Sequence, residues 1–141
     1  MRKEKHEESL KEVMDEIRSA LQDRRGLVSH QRRVAMMISI GICELVELYF
    51  HRLGIMKEGS RIKHEWFKKS DIKERLENQI TGRIGKVKKL DNVIELAKDI
   101  EDSRNDLAYG SPSNEELLHE KIKTFLRIKE MVVEETGEIN E

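Results

Sequence analysis

The chain of 141 residues is highly charged and poor in aromatic side chains: 37% of its residues are hydrophobic, 39% charged and 4% aromatic. It carries 27 Lys and Arg against 28 Asp and Glu, and the net charge of −1 excludes a globally basic nucleic-acid-binding protein but not a local basic patch. This length is typical of one domain with one core, and we expect residues 1–141 to form it. The single cysteine, Cys43, excludes a disulfide scaffold or a cysteine-rich zinc module and fits a reducing cytoplasm.

No segment of the sequence has the pattern of a targeting signal or a membrane span. The first ten residues are charged throughout and lack the apolar centre of a secretory signal. The longest apolar run, residues 34–43, is about half of the roughly twenty residues that a membrane-spanning helix requires. We therefore expect a cytoplasmic protein with no membrane partner.

The spacing of apolar residues predicts helices from the start of the chain. Apolar residues three and four apart over 10–21 predict a first helix, with Ser9 and Glu12 as a capping box at its start and Gly26 after its end. Residues 29–53 predict a second helix that is apolar on nearly all sides. Such a helix is typical of the centre of a bundle or of an oligomer interface.

The second half of the chain continues the helical pattern. Residues 61–80 predict two shorter helical pieces, and residues 86–109 predict a fourth helix that ends at Gly110 before Pro112. A capping box of Ser113 and Glu116 opens the last helix, and the acidic tail from about residue 134 is expected to fray. No strand pattern competes, so we predict an all-α, up-and-down bundle of about five helices.

The near-zero net charge conceals an uneven distribution of charge along the chain. Residues 57–89 hold 11 basic and 5 acidic residues, whereas residues 90–120 hold 2 basic and 9 acidic ones. A local basic excess of this size is either a solvated face or a surface that follows a nucleic-acid backbone. Trp66 in the same segment either stacks on a base or anchors the core. The candidate backbone-binding cations are Arg61, Lys63, Lys68, Lys69, Lys86, Lys88 and Lys89.

One residue of the predicted fourth helix breaks its apolar pattern. At about 100° per residue, Arg104 lies in the middle of an otherwise apolar stripe. Its guanidinium cannot lose its proton and must find partners. Two interpretations remain open: a structural ion pair with Glu44 or Glu47 of the second helix, or a contact with a phosphate.

The sequence around this arginine resembles a known motif. Arg104 and Asn105, the four residues between Arg104 and Tyr109, and the following Gly110 resemble the Arg-(four to six residues)-His signature of HEPN domains. The chain length, the long apolar second helix and the position of the motif before the last helix agree with this resemblance. It implies a helical bundle, commonly dimeric, that binds or cleaves RNA or associates with a nucleotidyltransferase-fold partner in toxin–antitoxin and defence systems.

The chain departs from that signature at one position, because Tyr109 stands where the family has histidine. Tyrosine, with a pKa near 10, is a poor proton carrier at neutral pH, but it can donate a hydrogen bond or stack on a base. We expect Arg104, Asn105 and Tyr109 to bind RNA or a nucleotide in a homodimer. If the protein is a weak metal-independent ribonuclease, Arg104 and Tyr109 are its catalytic candidates. The alternative is a helical module that docks a nucleotidyltransferase-type partner without contacting nucleic acid.

Other polar residues suggest no cofactor. Glu44, Glu47 and His51 share one face of the second helix, but helical bundles that bind two irons use Glu-x-x-His motifs, which this sequence lacks. We therefore predict no metal and pair these carboxylates with neighbouring cations. The remaining histidines in charged surroundings are expected at the surface: His6, His30 and His119.

Overall fold

The computed structural model describes residues 3–140, and these residues form five α-helices and no β-strand. The predicted all-α bundle is therefore confirmed. The helices are α1 (Lys3–Gln22), α2 (Gln31–Arg52), α3 (Ile72–Glu77), α4 (Leu90–Tyr109) and α5 (Glu115–Thr136). Short 3₁₀ turns occupy Leu27–His30, His64–Lys68 and Ile84–Lys86.

Helix α2 lies at the centre of the bundle, in contact with α1, α4 and α5. Its apolar residues Leu45, Val46 and Phe50 are fully buried. Gly41 lets α5 approach closely, since a Cβ atom there would lie 2.6 Å from Cε1 of the Phe125 ring. Of the two positions that its nearly uniform hydrophobicity allows, the centre of a bundle and an oligomer interface, the structure places the second helix at the centre of the bundle.

This central position also bears on the membrane question. The stretch Leu27–Arg52 is long and apolar enough to cross a membrane by length and composition, but 72% of its most apolar window is buried inside the protein. Packing within the bundle accounts for a hydropathy of this kind, so the stretch is weak evidence for a membrane span.

The connection between α2 and α4 packs onto the bundle instead of looping into solvent. Phe67, Ile72 and Leu76 insert into the core. The Tyr49 hydroxyl donates a hydrogen bond of 2.5 Å to the Lys88 carbonyl, and burial raises the pKa of this phenol to about 12. The 3₁₀ turn His64–Lys68 rests against α4. This contact places part of the basic segment beside the motif helix.

Two predicted capping boxes are not adopted, and α4 begins at Leu90 and not at residue 86, because Ile84–Lys86 form a separate 3₁₀ turn. Helix α1 already includes Ser9, so the predicted capping box with Glu12 is wrong. The N-cap of α5 is Asn114, whose side chain accepts from the Leu117 N–H, and not Ser113. In both cases several polar residues fit a cap, and the one adopted depends on where the preceding chain packs.

The acidic tail also differs from expectation, because contacts with α2 hold it in place. Helix α5 continues to Thr136 where fraying was predicted. Arg52 donates hydrogen bonds to the carbonyls of Gly137 and Glu138 at 2.6 and 2.7 Å. The side chain of Ile139 is buried. The acidic composition of the tail gives no sign of these contacts, which come from a residue 85 positions earlier in the chain.

Candidate functional site at the seam of α2 and α4

Helices α2 and α4 run antiparallel, and two side-chain contacts fix their register. At one end Gln31 Nε2 donates to the Leu107 carbonyl at 3.1 Å, and at the other Ser39 Oγ lies 2.9 Å from both Glu101 carboxylate oxygens. We call the solvent-facing line between these contacts the seam. Arg104 lies on α4 between Glu101 and Leu107, and therefore along the seam.

The Arg104 side chain is half-buried and lacks an acidic partner. Its Nη1 donates to Asn105 Oδ1 at 3.0 Å. Its Nε is buried, with no hydrogen-bond partner within the described residues. Across that same range no carboxylate lies within ion-pair distance of the guanidinium.

The ion pair expected with Glu44 or Glu47 does not form, because both carboxylates have other partners. Glu44 lies 2.6 Å from His6 Nδ1. Glu47 accepts from the backbone N–H of Ile62 at 3.2 Å, and burial raises its pKa. Neither partner is evident in the sequence, since His6 and Ile62 lie 38 and 15 residues from their carboxylates.

One turn before Arg104, a buried carboxylate joins three segments of the protein. Glu101 is 1% exposed and receives the Ser39 hydroxyl from α2. Its Oε1 also lies 2.7 Å from Nδ1 of His64, in the 3₁₀ turn. Burial raises the pKa of Glu101, while the contacts with Ser39 and His64 and the charge of Arg104 oppose that increase.

A surface groove of about 230 Å³ is lined by His64, the partner of this carboxylate. Its walls include Ile40 and Cys43 from α2 and Arg61, Lys63 and His64 from the connection. Burial, reinforced by the charge of nearby carboxylates, raises the pKa of the Cys43 thiol. A thiol held protonated is a poor nucleophile, which leaves His64 as the proton-transfer candidate among these five residues.

The other motif residues occupy the open end of α4. Asn105 is exposed and Tyr109 is 65% exposed, and their i, i+4 spacing places them on one face of the helix. Gly110 ends the helix where a side chain would clash, since its Cβ would lie 2.3 Å from the Asp106 carbonyl oxygen. The predicted helix end is confirmed, and it leaves the tyrosine ring accessible to a ligand.

In the structure, the cations of the predicted basic surface lie in separate parts of the protein. All seven cations are exposed, but only Arg61 and Lys63 line the groove beside Glu101. Lys68 and Lys69 end the 3₁₀ turn. Lys89 lies about 22 Å along the axis of α4 from Arg104, and it pairs with Glu134 and Glu135. Lys86 and Lys88 lie near Lys89 in the chain, at the far end of α4 from the motif.

Trp66, from the same segment, packs partly against the core, and the Arg75 guanidinium lies 5.9 Å from the centre of its ring. This packing is what the core-anchor alternative predicts. The ring is half-buried, so it does not present a full free face to a base.

Two of the three histidines expected at the surface are buried. His6 is 0% exposed and bound to Glu44. His30 is 7% exposed and lies between Glu16 and Asp23, whose hydrogen bonds raise its pKa. Only His119 is exposed as predicted. Charged neighbours in the sequence suggest a solvent-exposed histidine, but both imidazoles are bound by carboxylates from elsewhere in the chain.

These polar groups do not assemble into a metal centre. Within residues 3–140, no group of three or more His, Cys, Asp and Glu side chains is arranged to hold a metal ion. The His51 ring of the predicted Glu44–Glu47–His51 face lies 5.0 Å from the His6 ring, centre to centre. Glu44 and His51 of this face therefore contact α1, and Glu47 contacts the connection between α2 and α4.

The sequence gives little sign of Ser39, His64 and Glu101 as site residues. A serine within the apolar second helix and a glutamate one turn before Arg104 are the available signals. His64 lies 37 residues before Glu101, and only the packing of the 3₁₀ turn against α4 brings the two together.

Comparisons with known proteins identify no relative of this chain. No protein-family model matches it, and no curated protein and no solved structure is significantly similar to it. The resemblance to HEPN domains therefore rests on the motif residues and the arrangement of the helices around them, and it stays a prediction.

Proposed function

We propose that this protein is a HEPN-like, cytoplasmic RNA- or nucleotide-binding protein whose phosphate contact is Arg104 at the seam. In this proposal it belongs to a toxin–antitoxin or defence pair with a nucleotidyltransferase-fold partner. Asn105 and Tyr109 shape the binding site, and Arg61 and Lys63 guide the nucleic-acid backbone.

The observation that carries the proposal is the state of the Arg104 guanidinium. A half-buried arginine normally finds a carboxylate, yet no ion pair engages Arg104 within the described residues. Its planar fork matches a phosphate in shape and charge. An anionic ligand therefore supplies the partner that the fold does not.

The apolar face of α2 supports a homodimer as part of this proposal. Met36 and Met37 are half-buried and Ile40 is 47% exposed, so they form an open apolar stripe beside the seam. The resemblance to HEPN domains, which are commonly dimeric, favours a second copy of this chain as the occupant of the stripe.

The test of RNA binding is filter retention of a short single-stranded RNA of mixed sequence across a salt series. We expect the wild-type protein to retain RNA at low salt, with an affinity that falls steeply as salt increases. Arg104→Ala should weaken retention at least tenfold. Arg127→Ala, which removes an exposed arginine of α5, should leave it unchanged.

Absence of wild-type retention even at low salt contradicts the proposal. So does an equal loss in the Arg104 and Arg127 variants, which would indicate a general effect of net charge instead of a specific contact.

The exposed stripe also favours a second candidate function, the docking of a different protein without nucleic-acid contact. Light scattering of the purified chain tests whether the partner of this stripe is a second copy of the chain or a different protein. A dimer that Ile40→Arg converts to a monomer supports the homodimer. Leu21→Arg, at an exposed leucine of α1, is the matched control and should remain dimeric. A wild-type monomer that retains no RNA favours the docking module.

A further inference from the structure

We infer that the groove between α2 and the connection to α4 is a base-recognition pocket, in which Glu47 binds the Watson–Crick edge of a guanine. The inference rests on the proposed function and deepens it by naming the base that the protein prefers. The groove has a volume of about 230 Å³, below the roughly 300–1,000 Å³ of pockets that enclose larger ligands. It therefore suits one flat base, with the attached sugar and phosphate outside.

Glu47 is the carboxylate of this groove that is left to bind a ligand. It lines the groove from α2 although the residue is only 5% exposed. Its Oε2 accepts the Ile62 N–H at 3.2 Å, and no side chain donates to it within the described residues. The other two carboxylates of the groove, Glu44 and Glu65, each lie within 3.3 Å of an imidazole nitrogen. Because a carboxylate can accept about four hydrogen bonds, Glu47 retains acceptor capacity.

The chemistry of this carboxylate selects among the four bases of RNA. An ionised carboxylate only accepts hydrogen bonds, so its ligand must donate. Guanine presents two neighbouring donors on its Watson–Crick edge, the N1–H and the N2 amino group, which match the two oxygens of a carboxylate. Each of the other three bases places an acceptor beside its donor. Burial raises the pKa of Glu47, and a ligand with two donors compensates for the buried charge.

The walls of the groove suit the flat faces of a base. Ile40, Cys43 and Ile62 line it with apolar or neutral side chains. Burial raises the pKa of the Cys43 thiol, which keeps this wall uncharged. Apolar side chains of this kind hold a base between them in other base-binding pockets.

Two cations beside the carboxylate indicate that the ligand also carries an anion. Arg61 and Lys63 line the same groove, both are exposed, and no ion pair engages either of them within residues 3–140. The charge of Arg61 acts on Glu47, so the two groups are close enough to interact. These cations would repel a lysine or arginine side chain of a partner protein. A guanine nucleotide instead offers donors to the carboxylate and a phosphate to the cations.

The groove is connected to the proposed phosphate contact through two neighbouring residues. His64 lines the groove and lies 2.7 Å from Glu101, one turn before Arg104 on α4. Arg104 and the groove would then bind different parts of an RNA, the phosphate and the base. Phosphate contacts position a nucleic acid, whereas base contacts specify its sequence. Arg104→Ala should therefore weaken all sequences by the same factor and leave the preference among bases unchanged.

The experiment measures the binding of short, fluorescently labelled single-stranded RNAs to the full chain by anisotropy at low salt. The strands are uridine tracts that carry one central guanine, inosine or adenine. We expect the guanine strand to bind about tenfold more tightly than the adenine strand, because adenine loses the bidentate contact. Inosine retains the N1–H but lacks the amino group, so its strand should bind with intermediate affinity.

Glu47→Gln tests the assignment of the carboxylate. The amide oxygen of the variant can still accept the Ile62 N–H, while its NH₂ group places donors where guanine requires acceptors. The preference for guanine over adenine should therefore fall below about twofold. Glu58→Gln removes the same charge from an exposed residue of the connection that does not line the groove, and it should keep the full preference. If Glu47→Gln does not fold, the series of three bases on the wild type still tests the pocket.

The outcomes separate this inference from the proposed function. A wild-type protein that binds all three strands equally overturns the inference and spares RNA binding, whereas absence of binding to RNA and to nucleotides overturns both. A guanine preference that survives in Glu47→Gln overturns the role of Glu47.

Competition with GMP and AMP distinguishes a free nucleotide from an RNA strand as the source of the guanine. Displacement of the labelled strand by GMP but not by AMP supports a pocket for which the free nucleotide is sufficient. A guanine preference among the strands without displacement by GMP supports a pocket that requires the strand. Equal displacement by GMP and AMP overturns the choice of guanine.

Discussion

The two sides of α2 use the same kinds of residues in opposite ways. On the α1 side, His6 with Glu44 and His30 with Glu16 form closed pairs, in which each imidazole is buried. On the α4 side, His64 with Glu101 forms a pair whose carboxylate is buried but whose imidazole opens onto a groove. A histidine–carboxylate pair alone therefore does not identify a functional site.

What distinguishes the two sides is the exposure of the imidazole, 38% for His64 against 0% for His6 and 8% for His30, and the presence of a cation without an acid. Arg33 on the α1 side pairs with Glu16, whereas Arg104 at the seam has no such partner within the described residues. Closed pairs contribute to stability, and open ones remain able to bind a ligand. We therefore expect substitutions on the α1 side to lower stability and substitutions at the seam to change binding.

The largest expected effect on stability is that of His6→Ala. This change leaves the mostly buried Glu44 without its hydrogen-bond partner and opens a cavity beneath α1. Breaking a buried pair of this kind costs about 3 kcal/mol. Urea unfolding of the variant measures the loss, with His119→Ala as an exposed control that should change stability by less than about 0.5 kcal/mol. A loss below about 1 kcal/mol for His6→Ala would show that the pair is not closed in solution.

His30→Gln should lower stability in a pH-dependent manner. Hydrogen bonds that His30 donates to Glu16, and then to Asp23, raise the pKa of His30 above 6.5 in the folded protein. The stabilisation by charged His30 is therefore fully present below pH 6.5 and is lost as the pH rises through the folded pKa. At pH 6 the variant should be less stable by about 1.5 kcal/mol, the typical contribution of a hydrogen bond to a charged group.

Thermal unfolding of wild type and His30→Gln at pH 6 and pH 9 measures this difference. A difference in Tm that is the same at both values would contradict a charged His30 in the folded state.

Ser39→Ala should have a smaller effect on stability, about 1 kcal/mol, because one hydrogen bond to a buried carboxylate is lost. The loss of this bond raises the pKa of Glu101 further, so the destabilisation should grow as the pH rises and the carboxyl group is forced to ionise. Denaturant unfolding at pH 5 and pH 8 provides the measurement. A destabilisation that is larger at pH 5 would contradict the network.

Arg104→Ala should have the smallest effect on stability, less than about 0.5 kcal/mol, because no ion pair is broken. The same variant should show the greatest loss of RNA retention. Its stability and its RNA retention, measured together, therefore test whether residues at the seam act in binding and not in stability. A stability loss above about 2 kcal/mol would instead place Arg104 among the structural residues.

Much of the fold can be predicted from the sequence, but less of the candidate site can be predicted in this way. Apolar spacing indicated α2, α4 and α5, and Gly110 marked the end of α4, because these patterns reflect local geometry. The start of α1 was missed because Ser9 and Glu12 satisfy a capping rule within a helix that begins earlier. Local rules identify residues able to end a helix but do not choose among several.

The sequence by itself determined that this protein is helical, that its second helix is apolar on nearly all sides, and that Arg104 stands on an apolar stripe. All three follow from the local pattern of residues. Only the tertiary structure decided that Glu44 and Glu47 turn to other partners, that Arg104 lacks an acid, and that His64 reaches Glu101. The two histidine contacts, His6 with Glu44 and His64 with Glu101, join residues that are 38 and 37 positions apart in the chain. They depend on how helices pack across the bundle, which no local pattern in the chain specifies.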